Sequence, residues 1–97
     1  MASEATIIKQ IEKTVVGKYS DWLIGLTDDP ALRKAQLGNP LSFLQWKADS
    51  EQAAKNVERY FLVKGIQSAG VAPKSALHVY ILLVHNPGSK NKTSGRF

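Results

Sequence analysis

Few side chains in this sequence are equipped for chemistry: Arg33, Glu58, His78 and Tyr80, with Trp22 and Trp46 as aromatic surfaces. His78 and Tyr80 stand two apart in an apolar run, so in a strand they share one face. An imidazole there can exchange a proton near neutral pH. A tyrosine there ordinarily keeps its ring in the core and its hydroxyl at the rim. His78 and His85 are spaced to point to opposite faces, which makes them a poor metal pair. The chain has no cysteine, which excludes thiolate nucleophiles, disulfides and zinc ribbons. No glycine-rich phosphate loop is present. Glu58 has Lys55 three residues before it and Arg33 has Asp29 four before it, so both also read as ordinary helix-surface ion pairs. The two tryptophans can stack bases, yet both fall in strand patterns that would bury them.

The distribution of charge indicates what these groups would meet. The net charge is +5, from 13 Lys/Arg and 8 Asp/Glu. All eight carboxylates lie in residues 1–58, and residues 59–97 carry six basic side chains and none. Such asymmetry favours an anionic partner, most commonly nucleic acid. Lys34, Arg59, Lys90 and Lys92 are the expected nucleic-acid contacts, and a protein partner is the alternative. Glu4 and Glu12 interrupt the apolar residues at the start of the chain, so it does not read as a secretory signal. No stretch is long and apolar enough to span a bilayer. The expectation is a cytoplasmic protein that makes no membrane contact.

These residues must be positioned by short elements, since 97 residues at 43% apolar content make one domain with a modest core. Ser3 caps a first helix with Ile7, Ile8, Ile11 and Val15 on one stripe and Gly17 as terminator. Residues 22–26 read as a short buried strand. Asp29 as N-cap and Pro30 at the first helical position start a second, short helix ending near Gly38. Residues 41–48 alternate, with Leu44, Trp46 and Ala48 on one face and Phe43, Gln45 and Lys47 on the other. Asp49 and Gln52 resemble a capping box before the strongest helix, 50–64, whose stripe is Ala53, Ala54, Val57, Phe61 and Leu62 and whose stop is Gly65. A loop with Gly70 and Pro73 leads to an apolar strand at 77–84, and 86–97 reads as a mobile basic tail. The fold expected is α/β (α+β): a three-stranded sheet flanked by about three helices in the order α-β-α-β-α-β, with one domain over 1–85.

The run Leu23-Ile24-Gly25-Leu26-Thr27, then Arg33, then Asn56-Val57-Glu58-Arg59-Tyr60 resembles the YIG half of the GIY-YIG nuclease family. There a strand with YIG-x-T is followed by a helix with an arginine and a later helix with one glutamate. The resemblance implies that Arg33 holds the scissile phosphate, that Glu58 binds a divalent metal such as Mg²⁺, and that a tyrosine near the metal helps activate the attacking water. One hard carboxylate suffices for Mg²⁺ when water and phosphate oxygens complete its octahedron. The metal then polarises the phosphoryl oxygen while a guanidinium stabilises the charge developing there.

Two departures from the family pattern stand out. Leu23 occupies the YIG tyrosine position, and no GIY strand precedes it. His78-Val79-Tyr80, near the other end of the chain, has the apolar flanks of such a strand. The resemblance therefore implies a permuted core, in which the 77–84 strand lies directly beside the 22–26 strand and brings Tyr80 to Gly25. Sheet contacts do not require sequence adjacency, so such a permutation is physically allowed. The function implied is a nucleic-acid-directed domain, as a Mg²⁺-dependent endonuclease with Arg33, Tyr80 and His78 at its site. The alternative is a catalytically degenerate relative that only binds nucleic acid or a protein.

Overall fold

The computed structural model describes residues 1–70, 73 and 75–84. Helix α1 (Glu4–Thr14) begins where the Ser3 hydroxyl accepts from the Thr6 N–H, satisfying one of the free donors of the first turn. Ile7 and Ile11 are fully buried on its inner stripe. The helix stops at Thr14 with Val15 as C-cap, two residues before the glycine expected to end it. A single 3₁₀ turn (Tyr19–Asp21) then leads into strand β1 (Trp22–Thr27).

Helix α2 (Pro30–Gln36) starts as its sequence dictates. The Asp29 carboxylate accepts from the Leu32 N–H at 3.1 Å, and Pro30 occupies the first turn. Strand β2 (Leu44–Lys47) is shorter than the 41–48 alternation suggests. Helix α3 (Glu51–Lys64) is capped by Ser50, whose hydroxyl accepts from the Ala53 N–H, and not by Asp49 as expected. Asp49 is instead drawn alongside the chain start, where its N–H donates to the Ala2 carbonyl. Gly65 adopts φ 113° and closes α3, with the Ile66 N–H returning to the Phe61 carbonyl. That turn delivers Ile66 into the core at 3% exposure, while Leu62, expected on the buried stripe, is 38% exposed.

Two further strands complete the sheet. Strand β3 (Gln67–Ser68) was not expected, and β4 (His78–Leu83) falls within the 77–84 run. Among the described residues the sheet is four-stranded, in the order β2-β4-β1-β3, so the three expected strands gain a two-residue parallel edge. β4 lies between β1 and β2, antiparallel to both. The expected adjacency of the last strand and β1 is present, and Gly25 and Tyr80 are register partners.

The two faces of the sheet have different roles. Ile24, Leu26, Val79 and Ile81 face α1 and α3 and join Ile7, Ile11, Val57 and Phe61 in the main core. Tyr80 and Leu82 face the other way, in a smaller cluster with Phe43 that is flanked by Leu23, Leu37 and Ala69. Three polar pairs fasten α1 across the first face: Trp46 to Gln10, Asn56 to Glu4, and Tyr60 to Glu12. Among the described residues no helix is long and apolar enough to cross a membrane. His85 and the expected basic tail at 86–97, with Lys90 and Lys92, lie outside the described residues.

Candidate functional site

The site grows from the end of β1. Thr27 is 5% exposed, and its hydroxyl accepts from the Asp29 N–H at 3.1 Å. That bond fixes a tight corner, and the Asp29 cap then turns α2 back over the smaller cluster. Arg33 sits one turn into α2, its side chain reaching the sheet. The guanidinium donates from Nε to the Tyr80 hydroxyl oxygen at 2.9 Å, from one terminal nitrogen to the Ala69 carbonyl at 3.3 Å, and from the other to Gln36 at 3.4 Å. None of these partners is charged. The Asp29 carboxylate accepts from the Leu32 N–H, the cap bond of α2.

Tyr80 is the largest fully buried side chain, at 1% exposure. Its ring stacks on Phe43, with centroids 5.1 Å apart and planes 17° apart. Across the register lies Gly25, and the tyrosine ring fills the space where a side chain would stand. A Cβ built on Gly25 would lie 2.5 Å from Cζ of Tyr80 and 2.9 Å from Cε2. Non-bonded carbons optimally sit about 3.5–4.0 Å apart, so only glycine fits here. Leu23, on the same face as Gly25, packs against this cluster where the GIY-YIG pattern would have a second tyrosine.

A shallow cleft of about 200 Å³ opens beside the guanidinium, between the β1–α2 corner and Leu32, Arg33 and Gln36 of α2, with Pro73 on its far side. The cleft thus presents one guanidinium, hydrogen-bonded to uncharged partners, together with the acidic residues Asp28 and Asp29 at the β1–α2 corner.

The other expected site residues divide. His78 shares the Tyr80 face, with Thr27 and Lys47 as its cross-strand partners, and its Nδ1 is buried without a hydrogen bond. Lys34 is half-buried on α2, beside Arg33. Glu58 and Arg59 are on α3, which covers the opposite face of the sheet. Glu58 is half-buried there, and burial raises its carboxyl above the usual carboxylate range. Among the described residues no group of three or more His, Cys, Asp or Glu side chains converges, so a metal here would rest on Glu58 with water and phosphate oxygens. A desolvated carboxylate suits that task, because a cation would offset the cost of its buried charge. β1 has no β3 register partner beyond Ile24.

Neither the Phe43 stack nor the Ala69 carbonyl is legible from residue types and spacing. Alternation places Phe43 on the correct face of β2, but nothing in it pairs that ring with Tyr80. A backbone carbonyl leaves no residue signature at all.

Tyr80→Phe isolates the hydroxyl. It preserves the stack on Phe43 and leaves the Arg33 Nε–H without its partner. A destabilisation of about 1 kcal/mol is expected, the net worth of one such bond. Urea unfolding should show a lower midpoint at an unchanged slope. An unaltered midpoint would mean that the bond contributes nothing to the fold.

No protein-family model, curated protein or solved structure matches the chain.

Proposed function

We propose that the chain is a nucleic-acid-directed domain built on a permuted GIY-YIG-like core, acting as a divalent-metal-dependent endonuclease. One observation carries this reading. Tyr80, from the last strand, lies against Gly25 of the Leu23-Ile24-Gly25 strand, and Arg33 from the following helix bonds its hydroxyl. They come from distant parts of the chain; the resemblance also calls for Glu58 beside Arg33 and Tyr80, and Glu58 is on α3, over the opposite face of the sheet.

In this reading Arg33 binds the scissile phosphate. Its guanidinium is bonded only to uncharged partners, and its planar donors match phosphate geometry, against the opposing charge of Asp28 and Asp29 in the same cleft. Tyr80 lies buried behind Arg33, whose Nε–H holds its hydroxyl oxygen. The resemblance assigns Mg²⁺ to Glu58, but Glu58 is on α3 over the opposite face of the sheet from Arg33, a placement that favours binding without cleavage. Lys34 on α2 adds a positive charge beside Arg33, and the excess of basic side chains in residues 59–97 supplies the remaining charge that this reading calls for.

A second reading has its own support. Leu23 replaces a polar ring with an apolar one-sided contact, and Tyr80 is almost wholly buried. Both features favour a domain that binds nucleic acid, or a protein, without cleaving it. The two readings share a prediction: affinity for DNA should fall steeply with salt, by about 0.9 in log K per log salt for each phosphate neutralised on a duplex. Anisotropy titrations across a salt series check it. Salt-independent binding, or none at low salt, points to a protein partner.

A further inference from the structure

The sheet face that carries Tyr80 is only partly covered. Its side chains form cross-strand rows: Gly25, Tyr80 and Gln45 in one, and Thr27, His78 and Lys47 in the next. The β1 end of these rows is closed, with Thr27 buried and Arg33 over Tyr80. The β2 end is open, with Gln45 and Lys47 both exposed. His78 lies between the two ends, half-buried. Directly opposed residues of an antiparallel pair hold their Cβ atoms about 4.5–5.5 Å apart, so Lys47 and His78 project side by side.

His78 has a feature that the Arg33 site does not explain: the buried, unpartnered Nδ1. A buried N–H without an acceptor is rarer than a buried acceptor without a donor. The ring proton is therefore assigned to Nε2, which becomes a donor. Lys47 adds three donors and a full charge, and Gln45 adds an amide. Neither row contains a carboxylate.

We infer that Lys47 and His78 form a second phosphate-contact subsite beside Tyr80, along which a nucleic-acid strand enters the Arg33 site. This rests on the nucleic-acid-directed reading, and it assigns β2 a binding role for which nothing else in the fold calls. α2 cannot cover this strip, because its seven residues end at Gln36 and the chain passes to β2 through Phe43 on the cluster side. Among the described residues the β2 end of the strip, at Lys47, is exposed.

The test is anisotropy of a fluorescein-labelled DNA duplex, with log affinity followed against log salt at about pH 8, where an imidazole is neutral. Four proteins are compared with the wild type. Lys47→Gln removes the charge; His78→Phe and His78→Leu each remove the ring nitrogens; Lys9→Gln removes a charge from exposed α1 on the opposite face. Lys47→Gln should weaken binding and lower the salt slope by about 0.9. Whichever His78 variant keeps the wild-type melting profile should weaken binding at an unchanged slope. Lys9→Gln should overlay the wild type. If the wild type binds but Lys47→Gln overlays Lys9→Gln, the subsite is overturned and the broader reading stands. The same holds if folded His78 variants bind as the wild type does. If the wild type binds no DNA at low salt, both fall together.

Discussion

Gly25→Ala should destabilise the domain by about 3 kcal/mol, at the upper end of what overpacking a well-filled core costs. The added methyl would meet the hydroxyl of Tyr80 and the ring edge that carries it. That ring cannot retreat, because Phe43 stacks on it and Arg33 bonds its hydroxyl. In a domain of this size each kcal/mol moves the melting temperature by roughly 4–8 °C, so a drop of well over 10 °C is expected. A double-mutant cycle makes the cause visible. In a Tyr80→Leu background the methyl finds room, and Gly25→Ala should cost under about 1 kcal/mol, leaving a coupling of about 2 kcal/mol. Simple additivity of the two substitutions would mean that the close approach of Tyr80 to Gly25 is not what demands glycine.

Glu58→Gln separates metal binding from folding. The amide keeps the shape and an oxygen but loses the charge that holds Mg²⁺. Mg²⁺-dependent cleavage should fall to background, while DNA affinity holds or rises as a negative charge is lost. The fold should be preserved, and its pH dependence gives a second readout. Burial raises the Glu58 carboxyl in the folded state, so the folded protein holds this proton more tightly than the unfolded chain. The stability Glu58 contributes is therefore fully present below its unfolded pKa and is lost as pH rises through the folded one. Glu58→Gln should remove that decline. Mg²⁺ should raise the melting temperature of the wild type at neutral pH and leave Glu58→Gln unmoved. If Glu58 is only a surface residue, the substitution should change stability by less than about 0.5 kcal/mol and leave cleavage intact.

The parts of this site that could be read from sequence are those in which a residue type acts locally. Asp29 and Pro30 announce the start of α2, and so place Arg33 one turn beyond the end of β1. The apolar run around Tyr80 announces a central strand, and the absence of a strand before β1 left that run as its natural neighbour. Other features depend on the tertiary environment. Ser50 and Asp49 are both good caps one position apart, and only the bridge between Asp49 and Ala2 decides between them. β3 is two polar residues with no alternation, paired only because Ile66 is drawn into the core just before it. Leu62 fits a helical stripe by spacing, yet it is left largely outside the core, at 38% exposure. The position of Glu58 follows the same rule: its helix was legible, but the face of the sheet that helix covers was not.

Wild-type protein is incubated with single-stranded, duplex and branched DNA, with Mg²⁺ and with EDTA, beside Arg33→Ala. The expected result is cleavage of at least one substrate in Mg²⁺, none in EDTA, and a rate at least about 100-fold lower in Arg33→Ala, the scale of losing one charged group that stabilises the transition state. Intact DNA in every Mg²⁺ reaction, from folded protein that binds it, would contradict the nuclease and leave a domain that only binds.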